Sequence, residues 1–353
     1  MTDHWLVTGG TGFVGGWLVR GLAAAGTAVT VVARPTSHDR MRRLVAAVEA
    51  DSPGASARVQ IVDGDVESPL CGLRSDVLTK LARETTVMVH AAARLRVPSR
   101  EEGTRTNVEG TVAAMEVARR LPALRRFVHV SSIAVAGDYG SRFYEDWLDV
   151  GQKFRSFYAR SKYEGEARVR EARDLPTVVV RPGSVVGDSR TGEAWGTTTL
   201  VTAIHAVRRL AGLPRWTPLP APFLPRSRYP VVPVDFVVDA IRALVDVEAP
   251  AGRTYCLVEP DAPSINDLLA LIADRVGAPK PRVRLPVARA LSGVASVPVL
   301  SPLLRRMGLR VDFLTYLDQP HDYDVSNTTA ALEPRGLRCP RLKDYVDRIV
   351  AAT

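Results

Sequence analysis

The segment Tyr158-Ala159-Arg160-Ser161-Lys162 puts a phenol and an ammonium four residues apart. On a helix that spacing brings both side chains to one face. A phenol with its ordinary pKa of about 10 exchanges protons poorly at neutral pH, whereas a neighbouring ammonium favours the phenolate. The pair therefore reads as an acid–base unit able to pass a proton to or from a substrate oxygen. Ser132, just past the apolar run 126–131, is placed to donate a hydrogen bond to that oxygen as charge develops on it. Tyrosine and lysine at this spacing also decorate many solvated helices, so the pair gains meaning from what surrounds it.

Its company is a glycine turn at the start of the chain. Thr8-Gly9-Gly10-Thr11-Gly12-Phe13-Val14-Gly15 follows an apolar strand and runs into a helical pattern, 16–25. Such a turn lets the backbone approach a pyrophosphate, and the helix offers its unpaired N–H groups and positive dipole end. Gly9, Gly12 and Gly15 are the expected contact glycines, with Thr11, Phe13 and Val14 between them. The second strand ends Val31-Val32-Ala33-Arg34, where an acidic residue would bind the ribose hydroxyls of NAD. A guanidinium there suits a 2′-phosphate, so NADP(H) is expected, with Arg40 or Arg43 as second contacts. Asp65 and Val66 are expected beside the adenine, and Ala91 and Ala92 where the cofactor passes close. Pro182, Gly183 and Val185 are expected to hold the nicotinamide amide through their backbone. Tyr158 and Lys162 join this set, because an oxidised nicotinamide adds its positive charge to the lysine's. No metal site is expected.

The elements that must position these residues follow a βαβα rhythm. Apolar runs at 4–8, 28–33, 58–62, 86–90, 126–131 and 177–181 alternate with helix-length amphipathic segments, the pattern of a parallel sheet covered on both faces. Past Gly187 the rhythm changes. A helix is expected over 197–211, then a loop or lid over 212–230 rich in proline and arginine. Asp235 is expected to cap a helix over 236–247, 254–258 to return as a strand, Ser264 to open another helix, and 341–352 to close the chain as a helix. The expected fold class is α/β: a Rossmann-type doubly wound parallel sheet, 1–188 and 231–258, with a smaller C-terminal substrate-binding subdomain, 189–230 and 259–353. The segment 139–157, with Phe143, Trp147, Phe154 and Phe157, is expected to pack as a loop rather than border the substrate.

Composition narrows the classes. At 353 residues a sizeable core can be buried without disulfides, and Cys71, Cys256 and Cys339 lack the C-x-x-C spacing of zinc or redox work. A reducing, cytoplasmic setting is expected. With an apolar strand beginning within four residues of Met1, no signal segment is expected. The stretch 285–304 is broken by Arg289, Pro298 and Pro302, which makes it a poor membrane span. The formal charge of +9 rests almost wholly on arginine, since lysine occurs only five times. Those arginines are scattered and locally balanced by acids, unlike the basic stripe of a nucleic-acid binder.

Taken in order, TGGTGFVG, DGDV, HAAA, the Asn107 of RTNVEGT, HVSSIAVAG, YARSK and RPGSVVGD make the chain resemble the extended short-chain dehydrogenases/reductases. The resemblance implies an enzyme in which the tyrosine, lysine and serine play the roles argued above and Asn107 supports the site. It favours Ser132 over Ser131, because the family's hydroxyl residue stands five before the last glycine of that motif. VVARPTSHDRMRRL, DVLTKLARETTVMVHAAA, RPGSVVGDSRTGE and PVVPVDFVVDAI are more particular, and resemble the thioester reductase and fatty acyl-CoA reductase branch. That branch implies reduction of an acyl thioester, on coenzyme A or a separate carrier partner, to an aldehyde or alcohol.

Three functions are therefore weighed. The first is NADPH-dependent reduction of a carbonyl or acyl thioester. Arg208, Arg209, Arg215, Arg226 and Arg228 around the lid would then bind pantetheine phosphates or merely form a solvated basic face. The stretch 285–304, with Phe313 and Tyr316, would line a channel for a lipophilic chain or form plain core or dimer surface. The second is a sugar-nucleotide epimerase or dehydratase, against which Arg34 argues. The third, a regulatory protein that only binds NADPH, would be marked by loss of the tyrosine or lysine, and both are present. Homodimer and monomer are equally open.

Overall fold

The computed structural model describes residues 3–195, 198–217, 219–222, 228–285 and 322–353. The strands are β1 (His4–Thr8), β2 (Ala28–Ala33), β3 (Val59–Asp63), β4 (Val87–His90), β5 (Arg126–Val130), β6 (Thr177–Pro182), β7 (Ser184–Val186), β8 (Leu219–Pro222), β9 (Val231–Pro233), β10 (Arg253–Leu257) and β11 (Pro281–Leu285). The helices used below are α1 (Phe13–Ala24), α2 (His38–Asp51), α3 (Ser75–Glu84), α4 (Arg100–Gly103), α5 (Gly110–Ala118), α6 (Phe157–Glu171), α7 (Thr199–Arg208), α8 (Val234–Leu244) and α9 (Ile265–Val276). Helices Ser326–Leu332 and Leu342–Ala352 follow.

Seven strands form one parallel sheet in the order β10-β6-β5-β4-β1-β2-β3. Its strands read as Val-rich runs because both faces are covered. On one face α1 and α8 bury Leu18, Leu22, Val237 and Ile241 against Val7, Val89 and Val128. On the other, α5 and its neighbours bury Ala114 and Val117 against Leu6, Met88 and Phe127. The chain crosses from one face to the other between β1 and β4, so the carboxyl ends of those strands open onto a crevice where a dinucleotide can lie.

A separate core joins α7, α9 and the last helix through Leu200, Ile204, Leu268, Ile272, Tyr345 and Ile349. The helix Ser326–Leu332 instead packs Ala331 and Leu332 into the main core. Three local expectations are corrected. The lid segment carries a strand, β8, paired in parallel with β11. The helix expected from 236 begins at Val234, because Pro233 supplies the extended residue before it. Asp235 is consequently inside the first turn and not at the cap, and its carboxylate accepts from the Ser189 N–H at 2.8 Å and hydroxyl at 2.6 Å. The stretch 286–304, Phe313, Tyr316 and Arg226 lie outside the described residues. No helix among the described residues is long and apolar enough to cross a membrane.

Candidate active site

The glycine turn follows β1 directly. Gly9 has φ +78°, a conformation open to glycine, and any Cβ there would run into the backbone of Ala92. Ala91 and Ala92 thus lie beside the turn, with the Ala91 N–H donating to Thr8 O at 3.1 Å. A Cβ on Gly15 would collide with Gly9 O, so this glycine is required by the turn's own packing. Gly12 is exposed at the head of α1, whose N-terminus has no side-chain cap. These uncapped N–H groups beside a bare turn fit a dinucleotide pyrophosphate, with Thr11, Phe13 and Val14 as the nearest side chains.

Arg34 is exposed at the end of β2, with Arg40 and Arg43 exposed on α2 close by in sequence. Asp65 is pinned by its N–H to Cys71 O at 2.8 Å, and Val66 packs partly against the second core. Gly183 is held between β6 and β7 by the fold. Its N–H donates to Leu257 O at 3.0 Å, so that donor is already engaged by the fold. Pro182 is buried in β6, while Val185 pairs with Val232 across the β7–β9 ribbon.

Ser132 continues from β5 in extended conformation and caps a tight 3-10 turn, Ile133–Ala136, with Oγ accepting from Ala134 N at 3.2 Å. Ser131 is buried instead, its hydroxyl donating to Glu166 at 2.7 Å. Ser132 is therefore the serine turned away from the core. Ser156 caps α6 by accepting from Ala159 N, which fixes part-buried Tyr158 in the first turn. One turn on, the Lys162 ammonium is buried and donates to Val130 O at 2.6 Å, two residues before Ser132. Burial pushes the Lys162 pKa down to about 8, and the Glu166 carboxylate opposes that fall.

Asn107 lies in a π-helical bulge, Thr104–Glu109, between α4 and α5. Its side-chain oxygen accepts from Arg94 N at 2.8 Å, and its amide donates to Ser161 Oγ at 2.9 Å. Ser161 in turn donates to Tyr158 O at 2.9 Å. Asn107, Tyr158 and Lys162 are thus joined through α6, with Ser132 at the strand end beside the lysine's anchor.

Sequence reasoning missed the shell behind these residues. Glu166 follows Lys162 by four, a helical spacing that could have flagged it, and is bound by Arg181, Arg170 and Ser131. Arg181 was read only as part of a backbone motif. In the segment before α6, Phe143 is buried against Tyr139 and Tyr323, whereas Trp147 and, at the start of α6, Phe157 are exposed. Glu145, fully buried, accepts from Cys256 N and from Thr328 Oγ1 at 2.6 Å each, pinning this segment to β10. Of the arginines around the lid, Arg208 donates to Val350 O at 2.8 Å and Arg228 to Ala262 O at 2.9 Å, while Arg215 is exposed, 3.9 Å from Asp274.

A family profile for an NAD-binding family, described as Male sterility protein, matches residues 7–241. The chain belongs to this family. It is an enzyme of the extended short-chain dehydrogenase/reductase type, and the fold matches that of solved reductase domains. The crystal structure of the terminal R domain from the myxalamid PKS-NRPS biosynthetic pathway is 27% identical, with a TM-score of 0.82 over 99% of this chain and 90% of that one. The non-canonical nonribosomal peptide synthetase FrzA of Cladobotryum sp is 29% identical over 98% of this chain and 36% of its own length. The ceramide reductase of Caulobacter vibrioides is 33% identical over 52% of this chain and 47% of its own. The family member described here therefore spans between a third and a half of these curated relatives.

Proposed function

We propose that this reductase uses NADPH to reduce an acyl thioester, delivered on coenzyme A or a carrier protein, to an aldehyde or alcohol. The observation that carries the reading is the anchoring of Lys162 to Val130 O, one helical turn from Tyr158 and two residues before Ser132. The bound nicotinamide would supply the hydride to the carbonyl carbon. Ser132 and Tyr158 hold the developing oxyanion, and Tyr158 gives it a proton, with Lys162 stabilising the phenolate left behind. The resulting hemithioacetal collapses: its C–S bond breaks, the thiol leaves with the hydroxyl proton, and the aldehyde remains. A second reduction of that aldehyde gives the alcohol. Arg34, exposed where a ribose 2′-phosphate would lie, supports NADPH over NADH. The likeness to a terminal R domain and a peptide synthetase supports a carrier-bound substrate, and the likeness to a ceramide reductase supports a lipophilic one.

The test is NADPH oxidation by the purified protein with a panel of acyl-coenzyme A thioesters, aldehydes and ketones, beside Tyr158→Phe. Thioester turnover that vanishes in the variant supports the proposal. Turnover of aldehydes or ketones alone removes the thioester claim, and NAD copurifying with a protein inert toward every substrate overturns the reading in favour of an epimerase.

A further inference from the structure

Beneath α6, on the sheet face covered by α5, lies a polar group that no step above uses. His90 ends β4 and is buried, as are Thr8, Thr111, Asn107 and Ser161 around it. Its Nδ1 is 2.8 Å from Thr8 Oγ1, and its Nε2 is 3.1 Å from Thr111 Oγ1. His129 stacks on it with ring centroids 5.6 Å apart. Lys162 is the cation nearest in effect to both rings; burial first, then that charge, pushes the His90 pKa down to about 3. The ring is neutral throughout the working range.

The proton positions follow from counting. A hydroxyl has one proton to give. Thr111 gives its proton to Asn107 O at 2.8 Å, so toward His90 it can only accept, and Nε2 must carry the ring proton. Nδ1 is then a lone pair and Thr8 donates to it. Beyond Thr111, Asn107 donates to Ser161, and Ser161 donates to Tyr158 O. Three hydrogen bonds thus run in one direction, from the residue that opens the dinucleotide turn through His90 and Thr111 to the backbone carbonyl of Asn107, whose side-chain amide separately begins the two bonds to Ser161 and Tyr158 O. A chain of uniform direction polarises along its length, so each bond supports the next.

We propose that His90, as a neutral imidazole protonated on Nε2, is a positioning residue that couples the dinucleotide turn to the bulge of Asn107 and the helix of Tyr158. The inference rests on the reductase reading only for its rate measurement. It makes cofactor occupancy at the turn felt at the Asn107 carbonyl, in the bulge, through the Thr8, His90 and Thr111 side chains, in parallel with the sheet.

The string is cut on either side of His90 by Thr8→Val and Thr111→Val, which keep side-chain volume. Each variant is expected to bind NADPH within about threefold of wild type and to lose about tenfold in kcat, the scale of one hydrogen bond. The double variant is expected to be no slower than either single one, because a string cut once transmits nothing. Losses that multiply to about a hundredfold would mean two independent local contacts and would overturn the proposal, as would unchanged kcat in both. Amide hydrogen exchange of the 104–111 segment supplies a readout without substrate. NADPH should slow that exchange in wild type and fail to do so in either valine variant; equal slowing in all three overturns the proposal. A wild type that reduces nothing yet shows this pattern would sink the reductase reading and leave the role of His90 standing.

Discussion

The Arg181 guanidinium and the Glu166 carboxylate, both wholly buried, meet through two hydrogen bonds: Nη2 to Oε1 at 2.6 Å and Nε to Oε2 at 3.0 Å. Arg181 belongs to β6 and Glu166 to α6, so the pair ties the helix carrying Tyr158 and Lys162 to the sheet. The same guanidinium also reaches Glu145 O and Trp147 O, holding the segment before α6.

Removing one partner leaves the other charge buried and unpaired. Arg181→Met is expected to lower unfolding free energy by about 3–5 kcal/mol, read from urea denaturation. Burial raises the Glu166 pKa, but Arg181, Arg170 and Ser131 together outweigh it, so the carboxyl sits below its ordinary 4.5. A group lowered in this way stabilises the fold above its unfolded pKa and loses that contribution as pH falls through the folded value. Acid unfolding should therefore begin at higher pH in Arg181→Met. Equal acid midpoints would contradict the assignment.

Lys162 gives a pH dependence of opposite origin. Its burial lowers the pKa to about 8, so the ammonium that favours the Tyr158 phenolate is lost above that pH. The profile of kcat/KM, which reports the free enzyme, is expected to fall on an alkaline limb near pH 8. Glu166 raises the lysine's pKa, so Glu166→Gln should move that limb to lower pH. A limb that stays in place would separate Lys162 from the rate. For stability the sign reverses: a lysine lowered on folding binds fewer protons than the unfolded chain between the two pKa values, so stability rises across that interval.

The parts of the site that lie on one element, or where a strand meets a turn, were legible in sequence. A Y-x-x-x-K spacing states its own geometry once a helix is granted, and a glycine turn after an apolar strand states its neighbour. The pairing of Ser131 with Glu166, and of His90 with Thr8 and Thr111, depends on which strands lie side by side, which spacing along one chain does not encode. The packing of Gly183 was not legible for a related reason. A glycine in a loop suggests a close approach, but the sequence does not say to what, and here Pro230 occupies the space a Cβ would need. Asp235 shows the usual uncertainty of helix starts, where an acid one residue inside the first turn reads like a cap.

Gly165 sits in mid-α6, where glycine weakens a helix relative to alanine. The reason is contact: a Cβ there would be 2.5 Å from Asn107 O, the buried bulge carbonyl that accepts from Thr111. Gly165→Ala should push α6 from the bulge and separate Asn107 from Ser161. The expected outcome is a loss in kcat of about tenfold or more with NADPH affinity little changed, since a small misplacement of reacting groups is enough to slow them. An unchanged kcat would show that α6 can yield without moving Tyr158.

The end of β2 sets cofactor choice under the reading proposed here. Arg34 is exposed and leads into the short 3-10 turn that begins α2, with its carbonyl accepting from Ser37 N at 2.7 Å. The backbone is thus fixed while the guanidinium can turn to a 2′-phosphate, where paired N–H donors match two phosphate oxygens. Arg34→Ala should raise KM for NADPH by about ten- to a hundredfold, the scale of one to two charge-assisted hydrogen bonds, and leave KM for NADH nearly unchanged. Arg34→Asp should go further and favour NADH, because the carboxylate repels the phosphate and accepts from ribose hydroxyls. Steady-state kinetics with both cofactors decides between two roles for this residue: a parallel loss for NADPH and NADH would make Arg34 a fold residue, and selective loss for NADPH would make it the phosphate contact.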